Sequence, residues 1–458
     1  MPLDDGKRRW GVGWVDAGGT VGQPFARPRS PRPMAMPPPP EAVVPEPASP
    51  PVERTALRSS PADPHRRLPH GMAKLLVQRT RDSEGNLAYL LTGSADDGTA
   101  DGDAGLPYHA GPELPPTRIT LARVRSNGAL PSDYYRAVLD WSRRQRPLVR
   151  WLNELRALHG DALQLVVWDD TDFEIPWELL SLDGLEGDSE GEPDGGAGTP
   201  AAPAGPLGAL VPVARWTTIR EQAGPLLDGP AQCAGDVVGY FDAPMRSDAA
   251  AFQPFAHEPH ADPETFLTSL NSSPRGADRS LGLVYMGYYG THGKGLEDLT
   301  AGVLTWYELN EVEMSALAGG GTVVCLNACH SGRLVHNRDG GEDALRGFSE
   351  LFLRNGATAC IATRGEVPDT VASGLLTHLV AHAGRTPERP LAHMLRDYRA
   401  RAAADLPDPV PRRLASDGTV DHEGQRRVLR FLHHFMYVYY GHPLTTLRLS
   451  PRVPEGAA

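Results

Sequence analysis

An α/β fold, a mostly parallel sheet covered by helices on both faces, is predicted by three observations. First, five short runs carry apolar residues on both faces: Asp236–Phe241, Leu281–Gly287, Thr322–Asn327, Ala357–Thr363 and Phe435–Tyr440. Strands buried on both faces read as continuous apolar runs rather than alternating ones. Second, helical patterns at Pro263–Leu270, Tyr307–Leu317, Ala344–Arg354, Thr370–Ala383 and Leu391–Ala404 fall between them, the order that makes parallel crossovers. Third, the second and third runs each end in a turn carrying a reactive side chain. Thr291-His292-Gly293 follows one, and Asn327-Ala328-Cys329-His330-Ser331-Gly332 closes the other. In such sheets functional groups gather beyond the carboxyl ends of the strands.

The chain has 458 residues, of which 40% are apolar, enough for a sizeable core. It carries 45 basic and 57 acidic residues, a formal charge of −12, with no Lys/Arg block to track phosphates. Nucleic acid is therefore not an expected partner. No run approaches the 18 or so apolar residues of a membrane span, and the charged N-terminus lacks the apolar stretch of a secretory signal. Four cysteines in so long a chain make no disulfide framework. A reducing, cytoplasmic location is expected.

Three regions follow from the uneven spread of 44 prolines and 49 glycines. Residues 1–71, with Pro37-Pro38-Pro39-Pro40, bury too little apolar area to offset their ordering entropy and read as a disordered proline-rich tail. Met72 stands just before the first strand-like run and is an alternative translation start. Residues 72–231 form an N-terminal α/β unit expected to pack against the sheet. Here Leu75–Gln78 and Ala88–Leu91 pair around Ser83-Glu84-Gly85-Asn86, and Arg118–Val124 reads as another strand. A helix capped by Ser132 carries Val138, Leu139, Leu148, Leu152, Leu155 and Leu158, with Pro147 kinking or dividing it. A strand at Ala162–Trp168 precedes Ile175-Pro176-Trp177-Glu178-Leu179-Leu180, where Pro176 opens a short helix over Trp177. The acidic Gly/Pro tract 184–208 reads as a surface insertion, with processing as a second reading. Residues 232–458 form the catalytic part.

A thiol needs a lowered pKa or an adjacent base to attack a carbonyl, and histidine is the usual partner. The oxyanion then needs preorganised donors, which the backbone N–H groups of Gly293 and Cys329 can supply. The interval between His292 and Cys329 leaves room for one crossover helix, so their strands are expected side by side.

These residues, a His-Gly after one strand and Asn-Ala-Cys-His-Ser-Gly after the next, resemble the caspase-like cysteine peptidases, the clan of caspases, metacaspases and separase. More narrowly the chain resembles the bacterial CHAT domain over roughly Met72 to Ser450. Ile175-Pro-Trp-Glu-Leu-Leu, Leu351-Phe-Leu-Arg-Asn-Gly-Ala-Thr-Ala and Tyr440-Gly-His-Pro support the match. The resemblance implies a caspase-like fold and a cysteine endopeptidase acting on a protein substrate in signalling or defence. Cys329 would be nucleophile and His292 general base and acid, with no cofactor and a regulatory protein partner. Asn327 stands where caspases have glutamine, and one extra residue precedes Gly332. By analogy Asp242, Glu366 and Asp369 lie in pocket-forming loops and would favour a basic residue at the cleavage site; solvated loop charge is the plainer reading of all three.

Other readings compete. Cys325 and Cys360 lie inside apolar runs and read as core, and Cys233 precedes a strand with no partner signal. Zinc on Cys325, Cys329, His330 and His292 lacks the second close Cys/His pair of a structural site, so no metal is expected. A phosphate loop over Gly287–Lys294 fails on spacing, and Gly295 stands where Ser or Thr should bind magnesium. A CHAT-fold adaptor without turnover is the alternative function.

Overall fold

The computed structural model describes residues 68–96, 106–117, 119–121, 124, 130–184, 203–218, 230–272, 280–293, 295–337, 344–412 and 419–453. Most of the proline-rich tail and most of the acidic tract lie outside these residues.

Among the described residues twelve strands join one sheet: β1 (Met72–Arg81), β2 (Leu87–Ala95), β3 (Tyr108–Glu113), β4 (Gln164–Asp169), β5 (Val213–Trp216), β6 (Gln232–Phe241), β7 (His257–His260), β8 (Leu281–Gly287), β9 (Val323–Asn327), β10 (Ala359–Thr363), β11 (Tyr437–Gly441) and β12 (Thr446–Leu449). Their order is β12-β6-β8-β9-β10-β11-β5-β4-β1-β2-β3, with β7 also paired to β6. The pairs β1/β2, β2/β3 and β10/β11 are antiparallel. The other pairs are parallel, giving the mostly parallel α/β sheet expected. The two halves of the chain meet edge to edge, β5 beside β11, so the N-terminal unit continues the same sheet.

Nine helices lie among the described residues: α1 (Pro131–Arg144), α2 (Arg146–His159), α3 (Leu207–Leu210), α4 (Pro263–Asn271), α5 (Trp306–Asn310), α6 (Phe348–Arg354), α7 (Asp369–Arg385), α8 (Leu391–Ala404) and α9 (His422–His434). Strand alternation explains why they cover two faces. Val284, Met286, Val324, Leu326 and Ala362 pack with Phe266 and Leu270 of α4, Leu309 of α5, and Leu351 and Phe352 of α6. Their neighbours Leu283, Tyr285, Val323, Cys325 and Ile361 pack with Leu375 and Leu379 of α7 and Leu391 and Leu395 of α8. A third core sets Leu75, Val77, Leu165 and Val167 against Val138, Leu152 and Leu155 of α1 and α2, and against Val428, Phe431 and Leu432 of α9. Each large aliphatic side chain so buried contributes about 1.5–3 kcal/mol.

Several local expectations change. Pro147 does divide the first helix, standing in the opening turn of α2 after Gln145. Ser132 does not cap α1, because the cap position is Leu130. Ser132 is instead buried, its backbone N–H and hydroxyl both bound by Gln425 of α9 at 3.0 and 2.9 Å. Among the described residues of 118–124 no strand forms; Pro112, Pro115 and Pro116 precede them, and Ile119 N–H and Val124 N–H close turns on the Pro116 and Leu121 carbonyls instead. Residues Ala344–Arg346 are a short strand paired with Val335–Asn337, so α6 starts later than the apolar pattern suggested. The 307–317 helix stops at Asn310 and resumes as a single tight turn at Ser315–Leu317.

One polar cluster ties the halves together. Glu178, beside the wholly buried Trp177, accepts from Arg215 Nε at 2.8 Å and from its Nη2. Arg215 also donates to the Ile175 carbonyl at 2.9 Å, and Arg399 of α8 donates to the Tyr437 carbonyl at 2.5 Å with Glu178 4.0 Å away. All three side chains are fully buried. The Ile-Pro-Trp-Glu motif therefore serves the junction of β5, β11 and α8.

Candidate active site

Strands β8 and β9 are parallel neighbours, with Gly287 opposite Asn327. Cys329 sits two residues past β9 and His292 five residues past β8, so both turns emerge from one edge of the central sheet. Between them, the short strand Gly290–Thr291 presses close enough on the Cys329 carbonyl that a Cβ at Gly290 would collide with its oxygen. Only glycine permits that approach.

The Cys329 turn is anchored to the end of β10. Gly332 N–H donates to the Thr363 carbonyl at 2.7 Å, Ser331 Oγ donates to the Leu326 carbonyl at 2.9 Å, and Thr363 N–H donates to Ser331 Oγ at 3.0 Å. His330 adopts φ 60°, a left-handed conformation uncommon outside glycine. Such strain persists where surrounding contacts hold it and clusters at functional sites. The Cys329 thiol is part-buried and receives the Val367 N–H at 3.3 Å. The same thiol can donate to the Val367 carbonyl, 3.7 Å away, so one residue of the neighbouring loop holds the sulfur from both sides. Burial pushes the Cys233 and Cys325 thiols up to about 12 and raises Cys360 well above the ordinary thiol value, so these three read as inert core.

Asn327, the residue where caspases carry glutamine, is a buried junction beneath this turn. Its Nδ2 donates to Tyr285 Oη at 2.7 Å and to the Ala372 carbonyl at 3.0 Å, and its Oδ1 accepts from Tyr437 Oη at 2.6 Å. Replacing it by leucine should cost about 1–3 kcal/mol, since the buried Tyr437 hydroxyl loses its acceptor; urea unfolding would measure this. A loss near zero would mean that the hydroxyls find other partners.

His292 stands in a different local field. Its Nδ1 lies 2.5 Å from Arg333 Nη1, its ring centroid is 5.8 Å from that of His330, and its Nε2 is buried with no hydrogen-bond partner among the described residues. An arginine can only donate, so Nδ1 accepts and the proton of the neutral ring rests on Nε2. Burial first, then the charge of Arg333, lowers the His292 pKa to about 3. Burial and Arg333 likewise lower His330, to about 4. Arg333 in turn pairs with Glu174, a residue of the N-terminal half with φ 55°. Asp172, Glu174, His292, Gly293, Arg333 and His336 line a cleft of about 420 Å³. Arg333 and Glu174 escaped the sequence reading because nothing local marks a pair so far apart in the chain.

Gly293, the expected oxyanion donor, has the Asp298 carboxylate packed on it so tightly that a Cβ would collide with Oδ2. A carboxylate there opposes a developing oxyanion, so the N–H of Gly293 serves one only after Asp298 moves. Of the expected pocket residues, Asp369 is the best placed. Both its carboxylate oxygens are 3.3 Å from Tyr289 Oη, and the charges of Asp369, Cys329 and Asp242 all act on that phenol, whose pKa is raised by burial first and by them next. Asp242 caps the turn at Ala243–Phe252, accepting from the Ala243 N–H at 2.8 Å. Glu366 is exposed. Asp248, not singled out from the sequence, receives the Tyr285 hydroxyl at 3.0 Å and is raised by burial and, further down, by Asp369.

Comparison with known proteins bears on the same segment. Residues 274–416 match the CHAT domain family model. This stretch holds His292, Cys329, Glu366 and Asp369, while Asp242 and β11 lie outside it. Among solved structures, a chain of the separase–securin complex from Saccharomyces cerevisiae is similar at 14% identity with a TM-score of 0.35, covering 67% of this chain and 18% of that chain. A second structure of that complex gives 13% identity and a TM-score of 0.34, with 67% and 17% covered. This chain thus spans less than a fifth of the length of those chains. No curated protein matches it.

Proposed function

We propose that this protein is a cysteine endopeptidase of the CHAT type, working in a reducing compartment, the cytoplasm, in signalling or defence. The observation that carries the reading is the emergence of the Cys329 and His292 turns from adjacent parallel strands, with the thiol receiving an N–H bond. In the reaction Cys329 Sγ attacks the scissile carbonyl, forming a C–S bond. Its proton passes to the His292 imidazole and then to the leaving amine, and water cleaves the thioester. Once Asp298 has moved aside, the N–H groups of Gly293 and Cys329 hold the oxyanion. Asp242, Glu366 and Asp369, joined by Asp248, support a preference for a basic residue before the cleaved bond.

The arrangement described here is a resting one. A base must offer a lone pair, and the Nδ1 lone pair of His292 is engaged by Arg333 while Nε2 carries the proton. Activation requires that Arg333 release it, which a regulatory protein partner acting on the Glu174 side would accomplish. The same observation favours the second reading, a CHAT-fold adaptor in which the histidine is permanently engaged.

A thiol-directed peptide probe with a basic residue next to its warhead separates the two. In the Arg333→Met background, which frees His292 Nδ1, the parent protein should be labelled, while adding Cys329→Ala abolishes labelling and adding His292→Ala lowers the rate at least about 100-fold, the low end of general-base contributions. Equal labelling of all three proteins would rule out the peptidase.

A further inference from the structure

We propose that His70, Asp96 and His159 form a binding site for a divalent transition cation of the zinc type. They lie in the N-terminal half: His70 two residues before β1, Asp96 directly after β2, and His159 as the last residue of α2. One ligand-capable atom of each lies within 4.8 Å of those of the other two. His70 Nδ1 is 3.0 Å from Asp96 Oδ2, a normal spacing between two ligands of one ion as well as for a hydrogen bond, and the two imidazole rings meet edge to face at 5.3 Å.

His159 makes this more than an ion pair. Its Nε2 lies 2.9 Å from the Asp96 carbonyl oxygen, which can only accept, so Nε2 carries the proton. In the neutral ring that leaves Nδ1 as a bare lone pair, and Nδ1 is buried with no partner among the described residues, in a residue only 8% exposed. A backbone carbonyl that orients the ring from its second nitrogen is the support that metal-bound histidines ordinarily have. A buried lone pair without a donor is costly. A cation satisfies it and also neutralises Asp96, itself 8% exposed.

Two imidazoles and one carboxylate suit zinc and its neighbours, with water as a fourth ligand. The largely exposed His70 side chain provides the entry path. No close ligand pair announces the set in the sequence. A bound ion would cross-link the start of β1, the end of β2 and the end of α2, where the backbone already joins Asp96 N–H to the Met72 carbonyl at 3.2 Å.

The test uses the full chain, stripped with a chelator and titrated with Zn²⁺ against a chromophoric competitor, with Co²⁺ absorption as a second readout. His70→Ala removes an exposed ligand and leaves the core intact. Wild type should bind one equivalent at this site and melt higher with zinc; His70→Ala should bind at least tenfold more weakly and lose the zinc-dependent rise. Absence of binding by wild type would overturn the proposal. So would equal affinity in His70→Ala, which would put the ion elsewhere, or an equal drop in melting temperature with and without zinc, which would mark His70 and Asp96 as a simple ion pair.

Discussion

Glu178→Gln is expected to destabilise the protein by about 3–5 kcal/mol, the range for breaking a buried ion pair by removing one partner. The size follows from what the glutamate faces. Arg215 and Arg399 are both fully buried, and Glu178 is the carboxylate that joins them. Burial works to raise the Glu178 pKa, but the Arg215 charge and hydrogen bond, with Arg399 behind them, hold it below the ordinary glutamate range. Burial lowers Arg399 to about 10, a sign that its charge is the less well compensated of the two. Glutamine keeps the shape and removes the charge, leaving two guanidinium groups in a dry junction. Because the folded-state pKa of Glu178 is depressed, its contribution is complete above the unfolded value of 4.5 and is lost as pH falls through the folded value. Denaturant unfolding at pH 7 measures the loss, and the gap between wild type and variant should narrow in acid. A change below about 1 kcal/mol would mean that the arginines had found carbonyl partners sufficient without it.

That triad also marks the limit of what the sequence could reveal. The parallel strands were legible because a strand buried on both faces carries apolar residues on both, and the turns because a reactive residue beside glycine is uncommon there. The Ile-Pro-Trp-Glu run was visible as a motif, with Pro176 before a short turn as expected. Its glutamate's partners were not, since Arg215 and Arg399 lie in other elements and carry no local mark. The helix His422–His434 went unread because its apolar positions Val428, Phe431 and Leu432 sit among arginines and histidines, and their meaning appears only when α1 and the N-terminal core cover them. The short edge strands His257–His260 and Thr446–Leu449 lack a strand pattern of their own and exist because β6 offers both a place. Around the thiol, the residue types were legible and their electrostatics were not. Histidine near cysteine suggests a base, but whether that base has a free lone pair depends on Arg333, whose position depends on Glu174 in the other half of the chain.

Arg333→Met is accordingly expected to raise the reactivity of Cys329. Methionine keeps much of the aliphatic stem and removes both the donor on His292 Nδ1 and the charge beside it. Burial is the largest cause of the depressed His292 pKa and remains, so the value should climb from about 3 without returning fully to 6.5. Loss of a like charge in hydrogen-bond contact is worth about 1–3 units. Each unit gained stabilises the thiolate–imidazolium pair by about 1.4 kcal/mol, about tenfold, so probe labelling of Cys329 at pH 7 should rise about tenfold or more. A neutral histidine lowered by burial weakens the fold as pH falls from 6.5 toward 3, because the unfolded chain takes up the proton first. The variant should therefore lose less stability than wild type over that acid window. Nitrogen NMR of His292 supplies the direct reading: wild type should carry its proton on Nε2 at neutral pH, and the variant should titrate at higher pH and sample both tautomers. Glu174→Gln should move in the same direction by less, since Arg333 keeps its charge but loses the partner that aims it. Slower labelling in Arg333→Met, with His292 unshifted, would overturn the resting-state account and recast Arg333 as a group that positions the histidine for catalysis.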